Sequence, residues 1–184
     1  MTVILPTHKC VFIHIPRTGG RSISLKLKKF LNEHSTFLLR EYRHQTFVEI
    51  RNLFSRSISE VDNVLIIRRK NEEILKSLKA AVFERNEFNF DEKFLRFLLT
   101  LNDEHFFLMM TGSPYGFDTV DWYLKHCGKK CICVDFENLQ ILLDNIDKKD
   151  DPVEAFLESG GYEVIPITRR IEEEQENDIQ NRIS

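Results

Sequence analysis

The chain has 184 residues, of which 42% are hydrophobic and 30% charged, and its formal net charge is −3. This length predicts one domain, or one domain with a tail, and 15 phenylalanines supply bulky material for a core. No apolar run is long enough to span a membrane and the first residues lack a signal-peptide pattern, so we expect a cytoplasmic protein with no membrane partner.

Strands and helices alternate along the chain. Short apolar runs at residues 11–15, 64–67 and 131–136 are typical of strands buried on both faces. Helical spacing of apolar residues follows each run, and further helices are predicted. The predicted helices cover residues 23–31, 71–82, 91–103, 139–146 and 151–160. Asn71 is the expected N-cap of the second, Glu137 and Asn138 can cap the start of the fourth, and Asp151-Pro152 caps the last.

This alternation predicts an α/β single domain over residues 1–170, with a central parallel sheet flanked by helices. Residues 171–184 contain five Asp and Glu against Arg182 and predict an acidic tail, either a frayed helix or disordered.

Four cysteines occur, at positions 10, 127, 131 and 133. In a cytosolic chain we expect them to be reduced, with no disulfide framework. The C-x3-C-x-C cluster from Cys127 to Cys133 could bind zinc, but no fourth ligand stands at a recognisable spacing, although His126 is adjacent. We therefore expect these cysteines to fill a strand and expect no metal.

Positive charge is concentrated in the first part of the chain. Residues 1–70 contain 13 Lys and Arg against 5 Asp and Glu, whereas residues 71–184 contain 13 against 24. The cationic first part suits an anionic ligand. The basic residues are scattered and no aromatic ladder interleaves with them, so we expect no nucleic-acid partner.

The segment Ile15-Pro-Arg-Thr-Gly-Gly-Arg-Ser22 joins the first predicted strand to the first helix. Its glycines permit positive φ, and successive N–H groups in such a turn can converge on an anion. A glycine turn without a ligand explains the same residues equally well. The ATPase pattern G-x-x-x-x-G-K-[ST] and the dinucleotide pattern G-x-G-x-x-G are both absent, and the cation Arg17 precedes the glycines.

This segment resembles the P-K-T-G-G-T-S loop of the PAPS-dependent sulfotransferases, including the heparan/uronosyl-type and bacterial carbohydrate sulfotransferases, and Phe12 to Pro16 match the residues before that loop. The resemblance implies a P-loop-NTPase-like sulfotransferase fold and a site for the donor's 5′-phosphosulfate. Arg17 stands where that family has its catalytic Lys, and Arg21 where it usually has Thr. The implied contacts are Arg17, Thr18, Gly19, Gly20, Arg21 and Ser22.

A second signature of that family, roughly V-R-x-P-x-x-R-x-x-S, is similar to Ile67 through Ser77. The resemblance implies that Arg69 and Ser77, eight residues apart, bind the donor's 3′-phosphate. Asn71 stands where the family has Pro. A solvated strand end and a surface helix position explain each match alone, but their order and spacing after the first loop favour the site.

The acceptor needs a base, and His44-Gln45-Thr46 matches an H-x-T segment that the family carries between its two donor signatures. The resemblance implies His44 as that base, with Glu41 as the alternative; a surface or capping histidine is the competing, less favoured explanation of His44. His14 is expected to be a satisfied core residue. Arg169 and Arg170 fall where the family has a loop that closes over the nucleotide, which implies further donor contacts.

The resemblance thus implies transfer of a sulfuryl group from PAPS to an acceptor hydroxyl, a sugar by preference, or to an amine, with PAP as product and no metal. The alternatives are a P-loop-like nucleotide-binding protein, either a kinase, which would need a Walker lysine absent here, or a catalytically inactive PAPS/PAP-binding module. The acceptor and the oligomeric state are left open by the sequence.

Overall fold

The computed structural model describes residues 2–15, 17–38, 61–111 and 129–164. Within these ranges six β-strands form one sheet, accompanied by six α-helices. The strands are β1 (Thr2–Leu5), β2 (Cys10–Ile13), β3 (Thr36–Leu38), β4 (Asn63–Arg68), β5 (Lys130–Asp135) and β6 (Tyr162–Val164). The helices are α1 (Gly20–Lys26), α2 (Asn71–Lys79), α3 (Glu92–Leu99), α4 (Asp103–Thr111), α5 (Leu139–Lys148) and α6 (Pro152–Glu158).

The sheet is mixed, with strand order β3-β1-β2-β4-β5-β6. Its centre, β2-β4-β5, is parallel, whereas β1, β3 and β6 each pair antiparallel. The α/β class is confirmed, but the expectation of a parallel sheet holds only at the centre. For the β1–β2 pair the reason is the short connection. It consists only of the 3₁₀ turn Pro6–His8 and Lys9, and a parallel crossover needs a much longer connection.

The three central strands are those that the apolar runs predict. Their side chains alternate between two buried clusters, because successive residues of a strand point to opposite faces. Phe12, Leu65 and Val134 belong to one cluster, which also holds Ile23 of α1, Leu142 of α5 and Phe156 of α6. Val11, Ile66 and Cys133 belong to the cluster on the other face. Burial on both faces explains why these runs are continuously apolar.

Helices α2, α3 and α4 enclose an apolar cluster of their own, centred on Leu78, Leu98 and Phe106. The single helix expected over residues 91–103 is wrong, because α3 ends at Leu99 and α4 begins at Asp103. The Asn102 side chain accepts a hydrogen bond from the His105 N–H at 2.9 Å. An asparagine that bonds the backbone in this way favours a helix start over a helix interior.

The predicted helix caps have mixed outcomes. Asp151 is confirmed: its carboxylate accepts a hydrogen bond from the Val153 N–H at 2.7 Å, with Pro152 at the first helical position. Asn71 is not the N-cap of α2 but its first residue, and Lys70 precedes it without a side-chain cap. Asn138 stands at the N-cap of α5 and makes no side-chain cap bond there.

The strand-filling interpretation is confirmed for Cys131 and Cys133, which are buried in β5. Cys10 is buried in β2. Burial, with the Asp151 carboxylate adding to it, raises the pKa of Cys10 to about 12. Cys127 lies outside the described residues, as does the expected tail at 171–184.

No helix in the described part of the chain is long and apolar enough to cross a bilayer. Over the same residues, no three His, Cys, Asp or Glu side chains are grouped so that they could hold a metal ion.

Candidate functional site

The turn between β2 and α1 has left-handed backbone at two positions, Arg17 with φ 64° and Gly19 with φ 75°. Thr18, fully buried between them, donates a hydrogen bond from its hydroxyl to the Ile15 carbonyl at 2.7 Å. The Gly19 carbonyl accepts the first amide bond of α1, from Ser22 at 3.1 Å. Left-handed backbone is costly for a residue such as Arg, and such strain is typical of functional loops.

Both glycines of the turn are required by close packing. A Cβ on Gly19 would stand 2.5 Å from a methyl of Leu139, and its positive φ is itself unfavourable for other residues. A Cβ on Gly20 would stand 2.0 Å from the His14 ring. Burial lowers the pKa of that His14 to about 3, helped by the charge of the chain's amino terminus. A neutral imidazole therefore packs against the start of α1.

The turn contacts the end of the neighbouring strand, because β2 and β4 are parallel partners whose carboxyl ends lie side by side. Arg69, the first residue after β4, donates from Nη1 to the Arg17 carbonyl oxygen at 2.8 Å. The two segments that resemble the donor signatures of the sulfotransferases are thus in direct contact. Neither segment contains a signal for this pairing; it comes from the order of strands in the sheet.

The guanidinium of Arg69 is held on two further sides. Its Nε donates to the Glu73 carboxylate of α2 at 3.2 Å. Its central carbon lies 4.1 Å from the centre of the Phe136 ring, a cation–π arrangement. Only 19% of the Arg69 side chain is exposed, so its position is well determined by packing.

The Arg17 side chain is equally enclosed, with 18% of its surface exposed. Its Nη2 donates to the Glu87 carboxylate at 2.8 Å, and the guanidinium lies 5.9 Å from the centre of the Phe88 ring. Its Nε is buried and, in the part of the chain that the structure describes, has no hydrogen-bond partner. Buried donors are nearly always paired in folded proteins, so an unpaired guanidinium N–H marks a position where an oxyanion would be stabilised.

Glu87 is itself shared between two cations. It accepts from Arg85 Nε at 2.7 Å as well as from Arg17. The hydrogen bond from Arg85 and then that from Arg17 hold the pKa of Glu87 below its usual value, so the carboxylate is ionised at neutral pH.

The remaining predicted residues have different locations. Arg21 and Ser22 are exposed in the first turn of α1. Ser77 is half-buried on α2, one helical turn beyond Glu73 and therefore on the face that contacts Arg69. The proposed bases His44 and Glu41 and the arginines Arg169 and Arg170 lie outside the described residues.

Four residues of this site were not predicted from the sequence: Glu73, Glu87, Phe88 and Phe136. A local signal existed for Glu73, because an acid four residues after Arg69 can pair with it once a helix forms. No local signal existed for Glu87, which is 70 residues from its partner Arg17.

A second polar group lies beside this site at the carboxyl edge of the sheet. Arg68 donates to the Tyr162 hydroxyl at 3.4 Å, and that hydroxyl donates to the Asp135 carboxylate at 3.1 Å. Partial burial raises the pKa of Tyr162 despite the Arg68 contact, so the hydroxyl stays protonated and remains a donor.

Comparison of the chain with protein-family models, with curated proteins and with solved structures found no match.

Proposed function

We propose that this protein is a PAPS-dependent sulfotransferase. The observation that carries the proposal is the 2.8 Å hydrogen bond from Arg69 to the Arg17 carbonyl. This bond joins the segment that resembles the family's 5′-phosphosulfate loop to the segment that resembles its 3′-phosphate signature, so the two can form a single site. A ligand that spans both would be anionic at two points, as a 3′-phosphoadenosine nucleotide is.

The residues of the site suit such a ligand. The buried Nε of Arg17 has a hydrogen to donate and, among the described residues, no acceptor for it. A phosphate or sulfate oxygen would satisfy this donor and add a charge-assisted hydrogen bond. Arg69, with Ser77 further along the same helix face as Glu73, would take the second phosphate. The P-loop-like sulfotransferase fold is part of the same proposal, supported by the parallel β2-β4-β5 core with its glycine turn at the carboxyl edge.

The proposed reaction is an in-line displacement at sulfur. The acceptor oxygen, or the nitrogen of an amine, forms a bond to sulfur while the bond between sulfur and the bridging oxygen of the donor breaks. The electron pair of that bond remains on the 5′-phosphate of PAP, where Arg17 neutralises the developing charge. The acceptor proton passes to His44, or to Glu41 in the alternative assignment. Arg17 retains the charge of the family's Lys but is a poor proton donor, so its role is electrostatic.

We also propose a sugar hydroxyl as the preferred acceptor and the cytoplasm as the site of action. The first follows from the sequence resemblance. The second is supported by Cys10, Cys131 and Cys133, the cysteines that the structure describes, which are buried thiols within strands.

A catalytically inactive PAP-binding module is the second candidate. The observation that favours it is the engagement of both arginines by carboxylates, Arg17 by Glu87 and Arg69 by Glu73. Such pairing weakens the electrostatic stabilisation that the two arginines could give a transition state, although a nucleotide could still bind.

The test is a thermal-shift panel with PAP, PAPS, ATP and GTP, followed by transfer of labelled sulfuryl groups to a panel of sugars and amines. We expect PAP and PAPS to raise the Tm more than ATP or GTP does, because a ligand that binds only the native state stabilises it. Arg17→Ala should reduce the Tm increase that PAP and PAPS cause, and Arg96→Ala, which removes an exposed cation of α3, is its matched control. Preference for ATP would overturn the proposal, and PAP binding without transfer to any acceptor would favour the inactive module.

A further inference from the structure

The loop that carries Glu87 is tightly built. It follows a π-helical turn, Ala80–Glu84, and contains two asparagines with left-handed backbone, Asn86 at φ 43° and Asn89 at φ 51°. The Asn86 side chain accepts from the Phe90 N–H at 2.9 Å and donates to the Phe90 carbonyl at 3.1 Å. These two bonds close the loop on itself. π-helical turns and left-handed non-glycine residues are both enriched at functional sites.

This loop presents one carboxylate to two guanidinium groups. Glu87 accepts from Arg85, its neighbour in the same loop, at 2.7 Å and from Arg17, across the site, at 2.8 Å. Phe88 of the same loop stacks on Phe90 with ring centres 5.4 Å apart and lies beside Arg17. The Arg17 guanidinium is therefore fixed by residues of this loop as well as by its own turn.

We propose that Glu87 is a positioning residue for Arg17: it orients the guanidinium and competes with the incoming oxyanion for it, while Arg85 retains the carboxylate when Arg17 is released. The inference rests on the proposed function, in which that oxyanion is the 5′-phosphosulfate of the donor. A carboxylate with a single cationic partner would resist release, because its charge would be left unpaired. The second partner, Arg85, removes this obstacle.

Two substitutions are expected to change anion affinity in opposite directions. Glu87→Gln removes a negative charge next to Arg17 and should raise the affinity for an oxyanion about tenfold. Arg85→Gln leaves Glu87 with Arg17 as its main partner and should lower that affinity about threefold to tenfold. Glu87→Gln should also lower kcat while lowering KM for PAPS, because binding improves while alignment is lost. A purely structural role would weaken binding in both variants.

The experiment is isothermal titration of the full chain with PAP and, separately, with inorganic sulfate, with circular dichroism to verify folding. Glu84→Gln is the matched control, since it removes the same charge from an exposed position three residues earlier. Opposite changes in affinity for both ligands would support the inference. Opposite changes for sulfate, with no PAP binding by any variant, would support the role of Glu87 and overturn the sulfotransferase.

Weaker sulfate binding by Glu87→Gln would overturn the inference, and so would equal effects of Glu87→Gln and Glu84→Gln on affinity. The inference would also fall if the unmodified protein bound neither sulfate nor PAP. If Glu87→Gln does not fold, Arg85→Gln alone decides, and unchanged or increased affinity in that variant contradicts the inference.

Discussion

Arg69 donates a hydrogen bond to the backbone carbonyl of Arg17, although the two residues are 52 positions apart. The bond ties the end of one central strand to the turn that follows its parallel neighbour. The carboxyl edge of such a sheet is where open α/β folds bind ligands. The functional proposal rests on two cations at this edge: Arg69, which organises it, and Arg17, whose Nε has no hydrogen-bond partner among the described residues.

Arg69 should contribute to stability as well as to binding. Arg69→Lys removes the planar group that donates to Arg17, pairs with Glu73 and stacks on Phe136. We expect it to lower the free energy of unfolding by about 1.5–3 kcal/mol, measured by urea denaturation. Arg96→Lys, a change at an exposed residue of α3 that pairs with Glu92, is the control and should cost less than about 0.5 kcal/mol. Equal costs for the two variants would contradict the contacts assigned to Arg69.

Gly20 should be intolerant of a side chain because of His14. Gly20→Ala would place a methyl 2.0 Å from the imidazole and should lower the free energy of unfolding by about 1–3 kcal/mol. In a His14→Ala background the same change should cost less than about 0.5 kcal/mol, since the obstructing ring is gone. A double-mutant cycle by chemical denaturation measures the difference. The same cost in both backgrounds would mean that another contact excludes the side chain.

His14 should make the protein sensitive to mild acid. Its pKa is lowered from 6.5 to about 3 in the folded chain, so the unfolded chain takes up the proton first as the pH falls. Stability contributed by the neutral imidazole is therefore complete above about pH 7 and declines from pH 6.5 towards pH 3. Between pH 7.5 and 5.5 this decline should be on the order of 1 kcal/mol.

Urea unfolding of the unmodified chain and of His14→Phe at those two pH values isolates this contribution, because Phe cannot titrate. The unmodified chain should lose more stability than the variant does. An identical decline in both, or an NMR titration in which the His14 ring protonates near pH 6.5, would show that the imidazole is not held neutral.

His44 should act in transfer and not in donor binding. His44→Ala should lower kcat about 10²-fold to 10⁴-fold, the usual contribution of a general base, while the Kd for PAP stays within about twofold. Transfer assays with labelled PAPS measure kcat, and calorimetric titration with PAP measures the Kd. Unchanged turnover would exclude His44 as the base, and Glu41→Gln is then the variant to assay.

The parts of the fold that were predictable from the sequence are those with continuous apolar runs. Within these runs, residues 11–13, 64–67 and 131–134 are buried on both faces of the sheet, and strands buried on both faces need apolar side chains at every position. Strands β1, β3 and β6 were missed because three or four residues carry too little periodicity to distinguish a strand from a loop. The antiparallel edges of the sheet were missed with them.

Some residues of the candidate site could likewise be predicted from the sequence, and others could not. Arg17, Gly19 and Arg69 could be located because they stand where strands end, and strand ends are visible in the sequence. Glu87 could not, because its contact with Arg17 depends on how the loop after α2 folds back across the sheet edge. Neither spacing nor composition encodes that contact locally.

The measurement that tests the central claim most directly is a calorimetric comparison of two ligands, PAP and adenosine 5′-monophosphate, on the unmodified chain and on Arg69→Ala. If Arg69 holds the 3′-phosphate beside the Arg17 turn, the substitution should weaken PAP binding about 10-fold to 100-fold. It should weaken binding of the monophosphate, which lacks that group, much less, because the monophosphate is affected only by loss of the bond to the Arg17 carbonyl. Equal weakening of both ligands, or PAP binding no tighter than the monophosphate to the unmodified chain, would contradict the claim.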